Sequence, residues 1–437
     1  MMLHWFSPLE PARTAIAHYT THVLPELASA AEVTLWTDQK QWDPALEKHA
    51  AIHRFDPNHP NSADWELLNR GQAAFYNLGN NGRFHSAIWK MSRRHPGIVI
   101  LHDLRLHDFC GHLYREVLKN RRGYLDMMET AYGDSGRKDA ALYWDSVIGA
   151  RQMTEQYPCL SVALDTALGA VVHSSEGGDL ASREKVLPLL YSPLPYAAAS
   201  LPPSVRDPSE TPLRLVLFGY LGPNRCVDAL LTALAGLGSR DRFHLDIYGE
   251  VDDPSALATR IRALGIRPLV TVHGFVPEPE LEAALARAHF AINLRYPTMG
   301  EASYSQLRIW SHGLASVVTK VGWYAGLPED TVAFVQPEST VEDLQRRLSA
   351  LAADPAPFFA MGAKGYELLV SDHHPRQYAQ SLITFAAHAA EQSARLNAFT
   401  LADRAGESLR GLMPLDALRE CSADAARGIL ELTGDDR

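Results

Sequence analysis

The sequence predicts an α/β protein with two doubly wound parallel sheets in succession, and three observations support this. The chain has 437 residues, too long for one ordinary hydrophobic core and suited to two domains of roughly 200 residues each. Apolar runs of strand length alternate with helix-length segments in both halves, as in βαβ units. A stretch rich in Pro, Ser and Ala then separates the halves, and we place the linker at 196–212.

The first half, residues 1–195, reads as a parallel sheet with a helical insertion. Its predicted strands are Leu3–Phe6, Glu32–Trp36, Ala51–Phe55, Ala73–Leu78, Gly97–Leu101, Ala170–His173 and a short one near Val186–Tyr191. Helices are predicted from the turn after the first strand to Leu27 and over Arg83–Arg94. The mainly helical pattern of Leu104–Ala167 is the insertion.

The second half, residues 213–374, shows the alternation of strands and helices more clearly. Its predicted strands are Leu213–Phe218, Phe243–Tyr248, Leu269–His273, Phe290–Leu294, Ala315–Thr319 and Val332–Val335. Helices are predicted from about Arg225, from Pro254, over Pro277–Ala288 and from the cap at Ser303, and then over Val341–Leu351 and Pro355–Leu369. Residues 375–396 are predicted to form a further helix, and 397–437 read as an extra helical tail.

Composition excludes several classes of protein. Lys and Arg number 41 against 51 Asp and Glu, and a net charge of -10 argues against a nucleic-acid partner. The four cysteines have neither metal-binding nor redox spacing, which suggests a reducing compartment. Neither a signal peptide nor a run of 18 uncharged apolar residues occurs, so we expect a cytoplasmic protein.

The stretch His289–Trp323 predicts a ligand site. It reads as a buried strand, a loop with Arg295, Gly300 and Glu301, and a helix that Ser303 caps. Ligands of open parallel sheets bind at the carboxyl ends of strands, and a helix N-terminus favours anions. A phosphate-bearing ligand is therefore expected here.

A second candidate lies at Phe218–Leu234, where a strand leads through a glycine-rich turn into a helix. The turn at Gly219 would leave backbone N–H groups facing outward, and Arg225 is predicted to project from the start of the helix. Both features suit a diphosphate. An ordinary turn with a surface arginine is the alternative.

These two stretches resemble the nucleotide-sugar site of retaining glycosyltransferases of the GT-B fold, family-4 type. Glu301 is near the place of the first of the family's two glutamates, and Arg225 stands where a lysine is usual. The sequence departs from the pattern at Tyr220, where the family has arginine. Aligned on Gly313, Arg308 occupies the place of the second glutamate, which usually holds the ribose. A deoxyribose nucleotide such as dTDP is therefore one hypothesis for the donor.

The resemblance implies two Rossmann-like domains facing a cleft, with the helix at 375–396 crossing back to the first domain. It also implies roles for individual residues. The predicted catalytic residues are His102, Glu301 and Asp103. The predicted donor-binding residues are Gly219, Asn224, Arg225, Arg295, Gly300, Ser303 and Arg308.

Each assignment has a structural alternative. His102 follows the most apolar strand of its half and would meet the donor sugar, or it is a histidine satisfied by backbone groups. Glu301 would bind sugar hydroxyls, or it caps a helix. Arg308 would hold the ribose or a phosphate, or it is a solvated helix position.

The predicted reaction moves a hexose or deoxyhexose from a nucleotide diphosphate sugar to a saccharide or lipid-linked saccharide, as in polysaccharide biosynthesis, with retention of configuration. No metal or cofactor is expected, because arginines would stabilise the leaving group and Asp253 before Pro254 reads as a helix cap. The alternatives are a nucleotide-sugar epimerase or hydrolase and a non-catalytic nucleotide-sugar-binding protein. Basic runs at Arg93–Arg94 and Lys119–Arg122 leave a peripheral contact with the inner membrane face open, against a solvated surface.

Overall fold

The fold was analysed in a computed structural model. The structure describes residues 1–59, 61, 63–184, 187–198, 203, 206–393, 396, 398, 402, 417, 420, 421, 423, 424, 427 and 428. Most of the predicted tail at 397–437 and part of the predicted linker at 196–212 lie outside these residues.

Strands and helices alternate along the chain. The strands are β1 (Met2–Phe6), β2 (Glu32–Thr37), β3 (Ala51–Arg54), β4 (Ala73–Leu78), β5 (Ile98–Leu101), β6 (Gly169–Val172), β7 (Leu189–Tyr191), β8 (Leu213–Phe218), β9 (Phe243–Tyr248), β10 (Val270–Gly274), β11 (Phe290–Asn293), β12 (Ser316–Thr319) and β13 (Ala333–Val335). The helices are α1 (Ala15–Ala30), α2 (Trp65–Arg70), α3 (Gly82–Ser92), α4 (His107–His112), α5 (Arg121–Trp144), α6 (Ala150–Gln156), α7 (Leu160–Leu164), α8 (Ser175–Glu184), α9 (Val227–Ala235), α10 (Pro254–Ala263), α11 (Glu278–Arg287), α12 (Tyr304–Ser311), α13 (Gly322–Ala325), α14 (Thr340–Ala353), α15 (Ala356–Asp372) and α16 (Pro375–Glu391). A π-helical segment, Leu113–Val117, follows α4, and a 3-10 turn, Pro223–Arg225, precedes α9.

The chain divides into two compact units. The first comprises Met1–Pro193 together with Pro375–Arg437, and the second is Leu194–His374. Helix α16 therefore belongs to the first unit, where it packs on α1 and the hydroxyls of Tyr19 and Tyr378 lie 2.7 Å apart.

The first unit has a seven-stranded sheet in the order β3-β2-β1-β4-β5-β6-β7, and each pair of neighbouring strands is parallel. The strand order reverses between β1 and β4, which makes that junction the topological switch point. All four residues of β5 are buried, because helices cover both faces of a doubly wound sheet. Helices α4 to α7 form the predicted insertion between β5 and β6.

A six-stranded parallel sheet forms the second unit, in the order β10-β9-β8-β11-β12-β13. Its switch point lies between β8 and β11. The core on one face includes Leu215, Leu245 and Ile292, all buried. In such sheets, ligands bind outside the carboxyl ends of the strands at the switch point.

Three helices in this fold were not expected from the sequence. Helices α2 and α13 are only six and four residues long, too short to show a helical period. Helix α8 begins Ser-Glu-Gly-Gly-Asp, and its two glycines weaken the helical signal. Among the described residues, no helix is long and apolar enough to cross a membrane.

Candidate active site

Two loops meet at the switch point of the second unit. One follows β8, from Gly219 to Cys226, and the other follows β11, from Leu294 to Ser303; we call their junction the β8–β11 edge. The Tyr296 backbone N–H donates to the carbonyl of Asn224 over 2.8 Å and ties the loops together. The two stretches singled out in the sequence therefore lie side by side at one sheet edge.

Glycines give this edge its backbone shape. Gly219 and Gly300 have φ of +104° and +78°, which residues with a side chain rarely adopt. A Cβ built on Gly219 would meet nothing within 4 Å, so the space beside this backbone is open. Gly219 thus lies where a ligand can approach the main chain.

Arg225 is the most unusual group at the β8–β11 edge. Its side chain is only 2% exposed, and it donates from Nη1 to Asn293 Oδ1 over 3.2 Å and from Nη2 to the Phe218 carbonyl over 3.1 Å. Within the described part of the chain, Nε has no hydrogen-bond partner and no carboxylate lies within ion-pair distance. Burial, and secondarily the charge of Arg295, lowers the pKa of Arg225 to about 9. A buried cation held only by neutral acceptors is suited to receive an anion.

A buried chain of amides anchors Arg225. Asn293, at the end of β11, donates to Gln306 Oε1 over 3.0 Å, and Gln306 donates to Ser316 Oγ on β12 over 2.8 Å. All three are fully buried. Asn293 and Gln306 were not predicted from the sequence, although an asparagine inside the apolar run Phe290–Leu294 was a signal, since a buried amide needs partners.

Arg295 and Glu301 form an ion pair across the second loop. Arg295 Nε lies 2.9 Å from Glu301 Oε1, and both side chains are less than a fifth exposed. Glu301 Oε2 also accepts hydrogen bonds from the Thr298 hydroxyl at 3.0 Å and the Met299 N–H at 2.8 Å. The glutamate therefore holds its own loop in shape and fixes the direction of the Arg295 side chain.

Ser303 caps α12, as predicted. Its Oγ accepts a hydrogen bond from the Gln306 N–H over 3.1 Å, and it is buried. The positive end of the α12 dipole consequently lies at the same edge as Arg225 and Arg295. These groups together make the edge favourable for negative charge.

Tyr324, on α13, is a residue of this region that the sequence analysis missed. It is fully buried, and its hydroxyl has no hydrogen-bond partner among the residues that the structure describes. The phenol is near enough to Arg225 to affect the pKa of that guanidinium. Its position at the end of a short helix after β12 gave no sequence signal.

Arg308 lies on α12 but is turned toward α11. Its Nη2 is 2.5 Å from both Glu278 and Glu282, and its Nε donates to Glu282 over 2.8 Å. Burial opposes the charge of Glu282, but the hydrogen bond from His312 and the charge of Arg308 outweigh it and lower its pKa to about 2. The charge of Arg308 is thus compensated within the protein, and its contact with a donor stays a prediction.

We expect Arg308→Ala to destabilise the protein by about 1–2 kcal/mol and to leave nucleotide affinity unchanged, because it breaks a partly buried ion pair. Thermal unfolding and calorimetric titration with a nucleoside diphosphate measure the two effects. Arg346→Ala, which removes an exposed partner of Asp343, is the matched control. A loss of affinity without a loss of stability would instead support the predicted donor contact.

Other polar residues of the second unit have structural partners. Tyr220, which replaces the family's arginine, is exposed and donates to Asp252 over 3.0 Å. Asp253 caps α10 by accepting from the N–H groups of Ser255 and Ala256, as predicted. No cluster of three or more His, Cys, Asp or Glu residues suited to a metal occurs in the described ranges.

In the first unit, His102 lies at the carboxyl end of β5, where the sequence placed it. Its Nε2 is 2.9 Å from Asn77 Oδ1 on β4, and its ring packs against Tyr19 and His173 with centroids 4.7 and 5.4 Å away. Burial, with His173 and His85 nearby, holds the pKa of His102 well below its usual value. The imidazole is therefore neutral at physiological pH.

Asp103 has a backbone partner. Its Oδ2 accepts from the Asn80 N–H over 2.6 Å, and Asn80 Nδ2 in turn donates to Asp108 over 3.2 Å. Asn81, in the same turn, caps α3. The carboxylate shapes the loop after β4, and its predicted catalytic role is not visible in these contacts.

Each of the two basic runs named in the sequence contains arginines that form ion pairs. Arg93 contacts Asp165, and Arg121 lies 2.9 Å from Asp145. Arg122 Nε lies 3.6 Å from Asp126, one helical turn away. Such exposed pairs are typical of a solvated surface.

Solved structures resemble the chain over most of its length. The structure of Anabaena HepE in complex with UDP and glucose has a TM-score of 0.59 at 13% identity, covering 89% of this chain and 100% of that one. Sucrose-phosphate synthase from Thermosynechococcus elongatus has a TM-score of 0.59 at 15% identity, covering 89% and 98%. WaaG, a glycosyltransferase involved in lipopolysaccharide biosynthesis, has a TM-score of 0.52 at 14% identity, covering 87% of this chain and 99% of that one. The chain has the GT-B fold.

The GT-B assignment confirms the predicted fold class, since both units are Rossmann-like parallel sheets flanked by helices. No protein-family model and no curated protein sequence matches the chain. At this level of identity, the likeness shows the fold. The function is therefore argued from the residues of the two sheet edges.

Proposed function

We propose that this GT-B protein is a glycosyltransferase that takes its sugar from a nucleoside diphosphate donor. The observation that supports this most directly is Arg225, a buried guanidinium at the switch point of a parallel sheet that has no carboxylate partner among the described residues. A bound diphosphate would supply the negatively charged partner that Arg225 does not have among the described residues. Structures of similar fold support the same ligand class, because HepE is in complex with UDP and glucose and WaaG is a glycosyltransferase.

In the proposed reaction, the bond between the sugar C1 and the β-phosphate oxygen breaks while C1 bonds to an acceptor hydroxyl. The hydroxyl proton passes to the departing phosphate oxygen on the same face of the sugar, which retains the anomeric configuration. Negative charge grows on the diphosphate as it leaves. We propose that Arg225, Arg295 and the N-terminus of α12 stabilise that charge and that no metal ion is needed.

The remaining predicted residues act on the sugar and the nucleotide. Gly219, Gly300 and Asn224 let the loop backbones approach the donor, as the positive φ values of the two glycines permit. We propose that Glu301 orders the loop that binds the sugar and that His102 of the first unit contacts the substrate. The acceptor is a saccharide or a lipid-linked saccharide, and the donor sugar a hexose or deoxyhexose.

Two alternatives make different predictions. A nucleotide-sugar hydrolase or epimerase would release nucleotide or convert the sugar without any acceptor. A non-catalytic binding protein would bind the donor and release nothing. The charged β8–β11 edge is common to all three, so acceptor dependence separates them.

Thermal unfolding of the full chain with UDP, GDP, dTDP, ADP or CDP, in the presence of a chelator, tests the anion site. We expect one nucleotide to stabilise the protein by about 2.7 kcal/mol at a concentration a hundredfold above its Kd. A shift that appears only after magnesium is added would contradict a metal-free site. Absence of a shift with every nucleotide, with or without magnesium, would contradict the proposed donor.

A further inference from the structure

Asn77 connects three elements of the first unit through one side chain. It is fully buried near the end of β4, and its Nδ2 donates to the Phe6 carbonyl of β1 over 3.0 Å. Its Oδ1 lies 2.9 Å from His102 Nε2 at the end of β5. The strand order places β4 between β1 and β5, so the amide spans the switch point.

The Phe6 carbonyl fixes the orientation of this amide. A carbonyl only accepts hydrogen bonds, so the NH₂ group of Asn77 must face it. Oδ1 then faces His102, and Oδ1 is also only an acceptor. The proton of the neutral imidazole therefore resides on Nε2, which leaves Nδ1 unprotonated.

The Nδ1 atom of His102 is available to a ligand. Within the described residues, Nδ1 has no hydrogen-bond partner. It is also not one of the partnerless polar atoms that are closed off from solvent, so solvent reaches it. The side chain as a whole is half-buried. An unprotonated imidazole nitrogen accepts a hydrogen bond from a hydroxyl and gives none.

We propose that Asn77 is a positioning residue that holds His102 as its Nε2–H tautomer, so that Nδ1 accepts a hydrogen bond from a hydroxyl of the substrate. The tautomer follows from the protein's own contacts. The substrate contact rests on the proposed function, since sugars are the hydroxyl-rich ligands that it names. Nothing in the sequence analysis assigned a role to Asn77.

The groups around His102 keep it neutral. Tyr19 from α1 and His173 after β6 face its ring, and His85 from α3 is near enough to affect its pKa. Burial lowers the pKa of His85 to about 4, so no cation arises there at neutral pH. Asp103, the next residue along the chain, has its Oδ2 bound by the Asn80 N–H. An aspartate at position 77 would place a negative charge beside the imidazole and favour its protonated form.

Long-range ¹H–¹⁵N spectra of the histidine side chains, with His102 assigned through His102→Asn, test the tautomer in the wild-type full chain. We expect a protonated Nε2 and an unprotonated Nδ1 at neutral pH, because burial holds the pKa of His102 well below its usual value. A protonated Nδ1, alone or in an imidazolium, at neutral pH would overturn the proposal. This readout needs no substrate, so it separates failure of the tautomer from failure of the proposed function.

Asn77→Asp tests the consequence for turnover. A carboxylate beside Nε2 should raise the pKa of His102 by about 1–3 units, so that Nδ1 becomes protonated at a higher pH. Turnover should then fall on the acid side, and the acid limb of its pH profile should move to higher pH by the same amount as the pKa. Asn81→Asp, an exposed change to an equivalent N-cap in the following turn, is the control and should leave the profile unchanged.

The spectra of Asn77→Asp show whether His102 is protonated in the variant, which can then be compared with its pH profile. A folded variant with protonated His102 and an unchanged pH profile would refute the role of Nδ1 in the reaction. If the variant does not fold, the wild-type spectrum alone decides the tautomer. His102→Gln, which keeps a side-chain acceptor, should then retain more turnover than His102→Leu, and equal turnover of the two would contradict the substrate contact.

Discussion

Replacing Arg225 with methionine is expected to weaken the binding of a free nucleoside diphosphate by about 100-fold, because the proposed charge-assisted hydrogen bonds to the diphosphate, each worth about 1.5–3 kcal/mol, are lost and partly offset elsewhere. Methionine keeps much of the volume of the side chain and introduces no charge. Turnover should fall with affinity, since in the proposed reaction the same guanidinium stabilises the departing diphosphate. Isothermal titration and the rate of nucleotide release measure the two effects.

Arg260→Met provides the matched control. Arg260 lies on α10 of the same unit and pairs with Asp228 at the exposed surface, so its loss should leave nucleotide affinity unchanged. The pKa of about 9 adds a second expectation for the wild type. An arginine in water keeps its proton to much higher pH, but Arg225 without ligand should be about half deprotonated at pH 9, and nucleotide affinity should decline as the pH rises toward and past that value. Equal affinity of Arg225→Met and the wild type would remove this residue from the anion site.

Glu301→Ala is expected to lower turnover by at least about 100-fold, as is typical when a group that positions the reacting sugar is lost. The carboxylate holds Arg295, Thr298 and Met299 in one arrangement, and alanine releases all three contacts. Affinity for the free nucleoside diphosphate should stay the same or rise, because Arg295 no longer has a competing carboxylate. The split between turnover and nucleotide affinity distinguishes this residue from Arg225.

Glu329→Ala controls for the loss of one acidic charge. Glu329 is exposed and pairs with Lys320, and its removal should change neither quantity. Near-normal turnover of Glu301→Ala would show that the loop keeps its shape without the carboxylate. A matched loss of nucleotide affinity and turnover would place Glu301 in phosphate binding rather than in sugar positioning.

The strands were predictable for a physical reason. Buried parallel strands such as β8 and β9 are short apolar runs bounded by turn residues, and their bounds agree with the prediction at both ends. Capping also left a clear signal, since Ser303 and Asp253 precede their helices and accept the expected backbone hydrogen bonds. Helices too short to show a hydrophobic period, such as α13, left no signal in the sequence.

The site was predicted less completely because tertiary contacts decide what a charged side chain does. Arg225 and Arg308 look alike in the sequence as arginines near helix termini. One is buried among neutral acceptors, and the other is bound by two glutamates of α11. Only strand order and helix packing, which are non-local, separate the two.

Asparagines inside strands were the overlooked signal. Asn77 and Asn293 interrupt the apolar runs of β4 and β11 near their carboxyl ends, one in each unit. A buried amide is costly unless its hydrogen bonds are made, so its presence there points to a neighbour that must be held in place. In this protein the neighbours are His102 and Arg225.

The most direct test of the proposed function is the release of nucleoside diphosphate from the donor selected by the thermal screen, with and without saccharide acceptors. We predict release that depends on an acceptor, with a product whose anomeric configuration is that of the donor sugar. Equal release without an acceptor, or no release from a donor that binds, would contradict the assignment as a glycosyltransferase.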